Sequence, residues 1–279
     1  MQASIRRLPI FSKHQNLKTI IITGTSAGIG FVLAEYFGKK GHRVYGLSRK
    51  AVSSPYFTSI PADITDQLQV QNAVQQVLRT ERRIDVLINN AGMGMVGAVE
   101  DATGEEITKL FNLNLIGAVQ CMNAVLPTMR TQSFGQIINI SSIGSEMGLP
   151  FRGFYSASKA ALDRVTEAIR YEVSPWKIQV TSLHLGDIKT NIADSRVRSE
   201  ISEPYKKIFD KVYSLMNSHV DQGTPPLEVA LYLEQLLSRS TWKAHYYFGK
   251  FGQKIGVPLK WLLPQNFYET LMKKYNGIS

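Results

Sequence analysis

A chain of 279 residues that is 44% hydrophobic and 19% charged has the composition of a globule with a large core, which excludes a disordered or low-complexity class. Its single cysteine, Cys121, excludes an internal disulfide framework and fits a reducing compartment; no Cys/His cluster has zinc spacing, so no metal is expected. The net charge of +10 is uneven: Arg239–Ser279 holds seven Lys/Arg against one acid, Glu269, and no nucleic-acid module accompanies it, so no nucleic acid is expected as a partner.

Residues 1–16 carry charge but only a short apolar patch, and read as a leader rather than a secretory signal. No apolar run approaches the roughly 20 residues that span a bilayer. From Leu17 onward, β-branched runs such as "LKTIIIT", "RIDVLINNAG", "GQIINISS" and "KIQVTSLHL" alternate with helical patterns. Continuous apolar strands joined by helical crossovers indicate a parallel sheet buried on both faces. Seven strands are predicted near residues 18–23, 43–47, 57–60, 84–89, 135–140, 178–184 and 244–248. They form one domain, 17–249, with a helical lid at about 190–224 and a C-terminal helical appendage over 250–279.

The first strand runs into "TGTSAGIG", with Gly24, Gly28 and Gly30 opening a helix. Glycines there let the backbone turn tightly and approach a pyrophosphate at the helix N-terminus, with Ser26 and Ile29 between them; the alternative is an ordinary strand–helix turn. The pattern makes the fold a Rossmann-type doubly wound α/β sheet. The second strand ends at Ser48 and Arg49, where an NAD site would carry an acid for the ribose 2′-hydroxyl. Arginine suits a 2′-phosphate, so NADP(H) is expected ahead of NAD(H), unless Arg49 is only a solvated surface group. "PADIT" presents Asp63 and Ile64 at the next strand end, and "NNAG" sets Asn90, Ala91 and Gly92 beside the cofactor.

In "FYSASKAALDR", Tyr155 and Lys159 stand four apart on one helix face. A surface phenol beside a surface amine would look the same. Upstream, however, "IINISSIG" brings Ser141 and Ser142 to the carboxyl edge of the sheet, where α/β ligands bind. A cation close to the phenol favours phenolate and brings a group that titrates near 10 toward working pH. It can then exchange a proton with a carbonyl/alcohol pair while hydride moves to or from a nicotinamide.

The ordered set TGxxxGIG, DI, NNAG, NxxG, S and YxxxK, spread over Leu17–Thr190, resembles the short-chain dehydrogenase/reductase family. The resemblance implies Tyr155 as general acid/base, with Lys159 lowering its pKa and holding the nicotinamide ribose. It implies that Ser142, rather than Ser141, binds the substrate oxygen. Asn114, in "NLNLIG", would fix a helix irregularity and hold a water leading to Lys159. After the sixth strand the family usually shows Pro-Gly before a threonine; this chain has "HLGDIKT", with Leu185 for proline but Gly186, Ile188 and Thr190 available to the nicotinamide. Members commonly pair helices across a two-fold axis, which implies a homodimer through the segments around 104–129 and 154–173.

Substrate walls are expected from Met93, Met95, Met147, Leu149, Pro150 and Phe151, an adaptable apolar set that favours a lipophilic ketone or secondary alcohol. No arginine clamp is evident, and Arg152 reads as a solvated surface residue. Over 250–279, aromatics and lysines alternate, which suits a membrane interface, the substrate mouth or a second subunit. The expected setting is cytoplasmic, with peripheral membrane contact as the variant. The expected activity is NADP(H)-dependent oxidoreduction; the alternatives are a catalytically silent NADP-binding sensor or scaffold, and a membrane-surface adaptor.

Overall fold

The three isoleucines of "TIIIT" all lose their solvent contact in β1 (Thr19–Thr23). Burying each contributes roughly 1.5–3 kcal/mol, which requires cover on both sheet faces. The structure, a computed structural model, describes residues 17–190 and 196–278; the predicted leader and residues 191–195 of the predicted lid lie outside that range. β1 sits near the middle of a seven-stranded parallel sheet with β2 (Arg43–Ser48), β3 (Thr58–Pro61), β4 (Val86–Asn89), β6 (Gly135–Ser142), β7 (Ile178–Leu185) and β9 (His245–Phe248). The order is β3-β2-β1-β4-β6-β7-β9, so the chain winds one way from β1, then returns and winds the other way from β4. Between the carboxyl ends of those two strands lies the crevice of a doubly wound sheet.

Two apolar layers cover the sheet. On one face pack α2 (Gln67–Glu81), α4 (Ala118–Gln132) and α5 (Gly153–Glu172), through side chains such as Val74, Val125 and Ile169. On the other pack α1 (Gly28–Lys39) and α7 (Pro226–Leu237), through Leu33, Phe37 and Leu233. α3 (Gly104–Phe111) runs into α4 through a π-helical turn, Asn112–Gly117. That continuous helix, Gly104–Gln132, is long and apolar enough to cross a bilayer, which differs from the sequence expectation. Its apolar stripe (Leu110, Met122, Val125, Met129) is buried within the fold.

A second parallel pair, β5 (Met95–Val96) with β8 (Val197–Arg198), was not expected. It ties the segment after β4 to the segment leading into α6 (Lys206–Asp221). The C-terminal appendage forms α8 (Phe251–Leu262) and α9 (Gln265–Tyr275), which return to the carboxyl edge of the sheet.

Candidate active site

A cavity of about 550 Å³ opens along that edge, bordered by the ends of β1, β2, β4, β6 and β7. The three glycines of the first loop have different tasks. A Cβ on Gly30 would come within 2.3 Å of the Gly24 carbonyl oxygen, and one on Gly24 within 2.8 Å of Ala91 Cα. Both therefore serve backbone packing, and Gly30 does not border the cavity as the sequence suggested. Gly28 has φ +59°, and a Cβ there would meet nothing nearer than Thr190 at 3.8 Å. The helix it opens has no side-chain cap and no acid in its first turn, whereas Asp66 caps α2 and a Thr103–Glu106 box caps α3. Free N–H groups, the positive end of a helix dipole and a Cβ-free surface fit a pyrophosphate.

Ser26 and Ile29 border the same space, as do Ser48, Arg49, Asp63 and Ile64 at the ends of β2 and β3. Ser48 turns its hydroxyl to the Lys50 carbonyl at 2.7 Å. No carboxylate pairs with Arg49 among the described residues, and β2 ends without an acid, so this end fits a phosphorylated ribose better than a bare one. Asn90 braces the glycine loop, donating from Nδ2 to the Thr23 carbonyl at 2.9 Å; Thr23 Oγ1 in turn accepts from the Asn90 and Ala91 N–H groups. Gly92 leaves room for the next shell: a Cβ there would lie 3.1 Å from Asn114 Oδ1 and 3.3 Å from Lys159 Nζ.

At the reacting end, β6 delivers the two serines and α5 the phenol and amine. Ser141 donates to Asp163 Oδ2 at 3.0 Å and is buried, while Ser142 accepts from the Gly144 N–H at 3.0 Å and borders the cavity with Tyr155. Lys159 Nζ donates to the Ile140 carbonyl at 2.9 Å, and burial lowers its pKa to about 8 against the opposing charge of Asp163. Burial raises the Tyr155 pKa; the Ser142 hydroxyl and the positive charges of Arg152 and Arg196 work against that rise. The sequence assigned that electrostatic help to Lys159 and an oxidised nicotinamide; the two guanidinium groups are an addition it did not foresee.

Asn114 sits in the π-helical turn, consistent with the expected irregularity. It does not border the cavity: Oδ1 accepts from Met93 N at 2.9 Å, and Nδ2 donates to the Met93 carbonyl and to Ser158, each at 3.0 Å. Leu185 belongs to β7 itself, buried and paired with Phe248. The loop after it is held from the tail: Gly186 N–H donates to the Phe248 carbonyl at 2.8 Å, and Gln253 of α8 grips Asp187. Ile188 and Thr190 border the cavity beside that loop.

Met93, Met95, Met147 and Leu149 border the same cavity as Tyr155. Pro150 and Phe151 do not border it; Phe151 is held elsewhere. At φ +56° it turns away and packs edge-on against Phe209 of α6, with ring centroids 5.4 Å apart. The wall also includes Arg152, Arg196, Met216 and His219, with Tyr275 of α9. The aromatic-basic composition of the tail was visible in sequence; its return over the reacting centre was not. Behind β6, His184 and His245 share a hydrogen bond of 2.9 Å, and His245 continues to Glu167 at 2.6 Å.

The sequence profile described as short chain dehydrogenase matches residues 18–201. A 3-ketodihydrosphingosine reductase of Bacteroides thetaiotaomicron is 37% identical, over 93% of this chain and 98% of its own. A short-chain dehydrogenase structure from Streptomyces avermitilis superposes with a TM-score of 0.79 at 26% identity, over 95% of this chain and 97% of that one. ElxO, solved with NADP bound, superposes with a TM-score of 0.70 at 26% identity, over 82% and 95%. With that profile matched over most of the chain and a relative 37% identical along nearly its whole length, the chain belongs to the short-chain dehydrogenase/reductase family of oxidoreductases.

Proposed function

We propose that this chain is an NADP(H)-dependent oxidoreductase acting on a lipophilic ketone or secondary alcohol. The observation that carries the reading is the continuity of one cavity, from the uncapped α1 N-terminus and Arg49 at one end to Ser142, Tyr155 and Lys159 at the other. The NADP bound by ElxO and the ketone named for the Bacteroides reductase point the same way. A bound nicotinamide supplies or accepts the hydride. Ser142 orients the substrate oxygen, and the Tyr155 phenol gives it a proton in reduction or takes one in oxidation. Lys159 holds the cofactor ribose and, while protonated, keeps positive charge at the site. Asn114 positions the Met93 backbone and, through Ser158, the start of α5.

Replacing Tyr155 by Phe should lower NADPH-dependent reduction of a ketone panel by roughly 10²–10⁴-fold. NADPH binding, followed by cofactor fluorescence, should persist. Equal rates in the two proteins would sink the mechanism and favour a silent binder. The homodimer reading rests on the exposed apolar groups Ile116 and Tyr171 on the helices expected to pair, and light scattering reads it directly. Membrane-surface contact through α8 and α9 rests on their outward face.

A further inference from the structure

Arg152 and Arg196 come to the cavity that holds Tyr155 from separate parts of the chain. Arg152 precedes the first turn of α5, and Arg196 leads into β8, its stem lying over Gly94, where a Cβ would come within 2.8 Å of its Cγ. Both border the cavity. Arg196 Nη1 donates to Asn217 Oδ1 at 2.6 Å, and Arg152 Nη2 to Asn276 Oδ1 at a long 3.4 Å. Arg152 Nε is buried with no partner among the described residues. Among the described residues, both guanidinium groups are thus steered by neutral amides and pair with no carboxylate. The acid beside them, Asp187, is already gripped by Gln253. Two guanidinium groups against the single charge of Asp187, which a neutral amide does not cancel, leave a net positive charge near Tyr155. The planar fork of donors matches the oxygens of a carboxylate or phosphate.

Beyond the arginines, His219, Tyr275 and Gln253, the wall has an adaptable apolar part in Met93, Met147, Met216, Met272 and Leu149. We propose that Arg152 and Arg196 form an anion-binding subsite that selects amphiphilic ketones or alcohols bearing a carboxylate or phosphate close to the reacting carbon. Calling the bound amphiphile a substrate rests on the oxidoreductase reading; the head-group preference does not. A cationic head, such as the amine of a long-chain amino ketone, would meet the two guanidinium groups unfavourably.

The test is calorimetric titration of the full chain, with and without NADP⁺, using four ten-carbon ligands below their micelle concentrations: decanoate, decyl phosphate, decanol and decylammonium. At least one anion should bind roughly tenfold or more tighter than decanol, the effect of one added charge-assisted contact, and decylammonium no tighter than decanol. The better anion separates carboxylate from phosphate. Arg196→Gln and Arg152→Gln should each remove most of that preference. Arg196 stands outside the main sheet, so its variant keeps the test usable if Arg152→Gln does not fold. Decylammonium or decanol binding as tightly as both anions overturns the subsite, as does a preference that survives in the folded variants. A protein with the preference but no NADPH-dependent turnover of any ketone would keep the subsite and lose the oxidoreductase reading.

Discussion

Lys159 is buried with one hydrogen bond, to the Ile140 carbonyl, and its ammonium titrates at about 8 instead of 10.5. Desolvation disfavours the charged form of a lysine, so the protonated fraction falls as pH rises through that value. If catalysis needs the ammonium, kcat/KM should lose activity along an alkaline limb near pH 8. The Asp163 carboxylate raises this pKa and is itself buried, with Oδ1 unpaired among the described residues. Asp163→Asn should therefore move the alkaline limb to lower pH, and a limb that stays in place would detach Lys159 from the profile. Arg49 allows a second test at the same scale. Its removal costs a 2′-phosphate its charged partner, so Arg49→Ala should weaken NADPH by roughly tenfold or more while leaving NADH nearly unchanged. Parallel losses for the two cofactors would remove Arg49 from the 2′-phosphate site.

The loop after β7 shows how elements far apart in sequence complete one another. The family's usual proline is absent, and Gln253 takes over the restraint from α8. Its Oε1 accepts from Asp187 N–H at 3.3 Å, and a Cβ on Gly186 would come within 2.2 Å of that oxygen. Gln253→Ala removes this hold, and a net hydrogen bond of about 1 kcal/mol corresponds to roughly a fivefold rise in the KM for NADPH. Thermal stability should change little, because no core side chain is lost. An unchanged cofactor KM would make Gln253 a packing residue only. Such contacts were not legible in the sequence, because they join positions 66 residues apart. The seven main strands were legible, since runs such as "TIIIT" carry their own signal and both faces are buried. The two-residue strands β5 and β8 are too short for any periodicity, and they position Arg196. Tyr155 and Lys159 stood out by their spacing on one helix, whereas the choice of Ser142 over Ser141 came from the family resemblance. Arg152 resembled a surface residue because nothing local reveals that the end of α9 returns to it.

For the whole molecule, the appendage is a wall with two faces. Inward, Gly252, Gln253 and Gly256 of α8 and Met272 and Tyr275 of α9 border the cavity. Outward, Trp261 and Leu262 are each 77% exposed, Phe251 is 74% exposed, and Phe267 and Ile255 are also in solvent. Over 250–279 the chain has five lysines against Glu269 alone. Apolar groups flanked by cations fit an anionic bilayer surface, with each nearby lysine worth about 1 kcal/mol there. Docked in this way, the helices that wall the site would hold its substrate end close to a reservoir of lipophilic molecules. Truncating the tail cannot test this, since it would also remove the cavity wall and the Gln253 restraint. The double variant Trp261→Ser/Leu262→Ser changes only outward groups and should keep the melting temperature. Wild-type protein should co-float with vesicles containing phosphatidylglycerol and detach at high salt, because exposed charges are screened. The variant should lose most of that binding. Wild-type protein that ignores such vesicles, or a variant that floats equally well, excludes the bilayer as the partner of this face. A variant that instead loses self-association in light scattering assigns the face to a second copy of the chain.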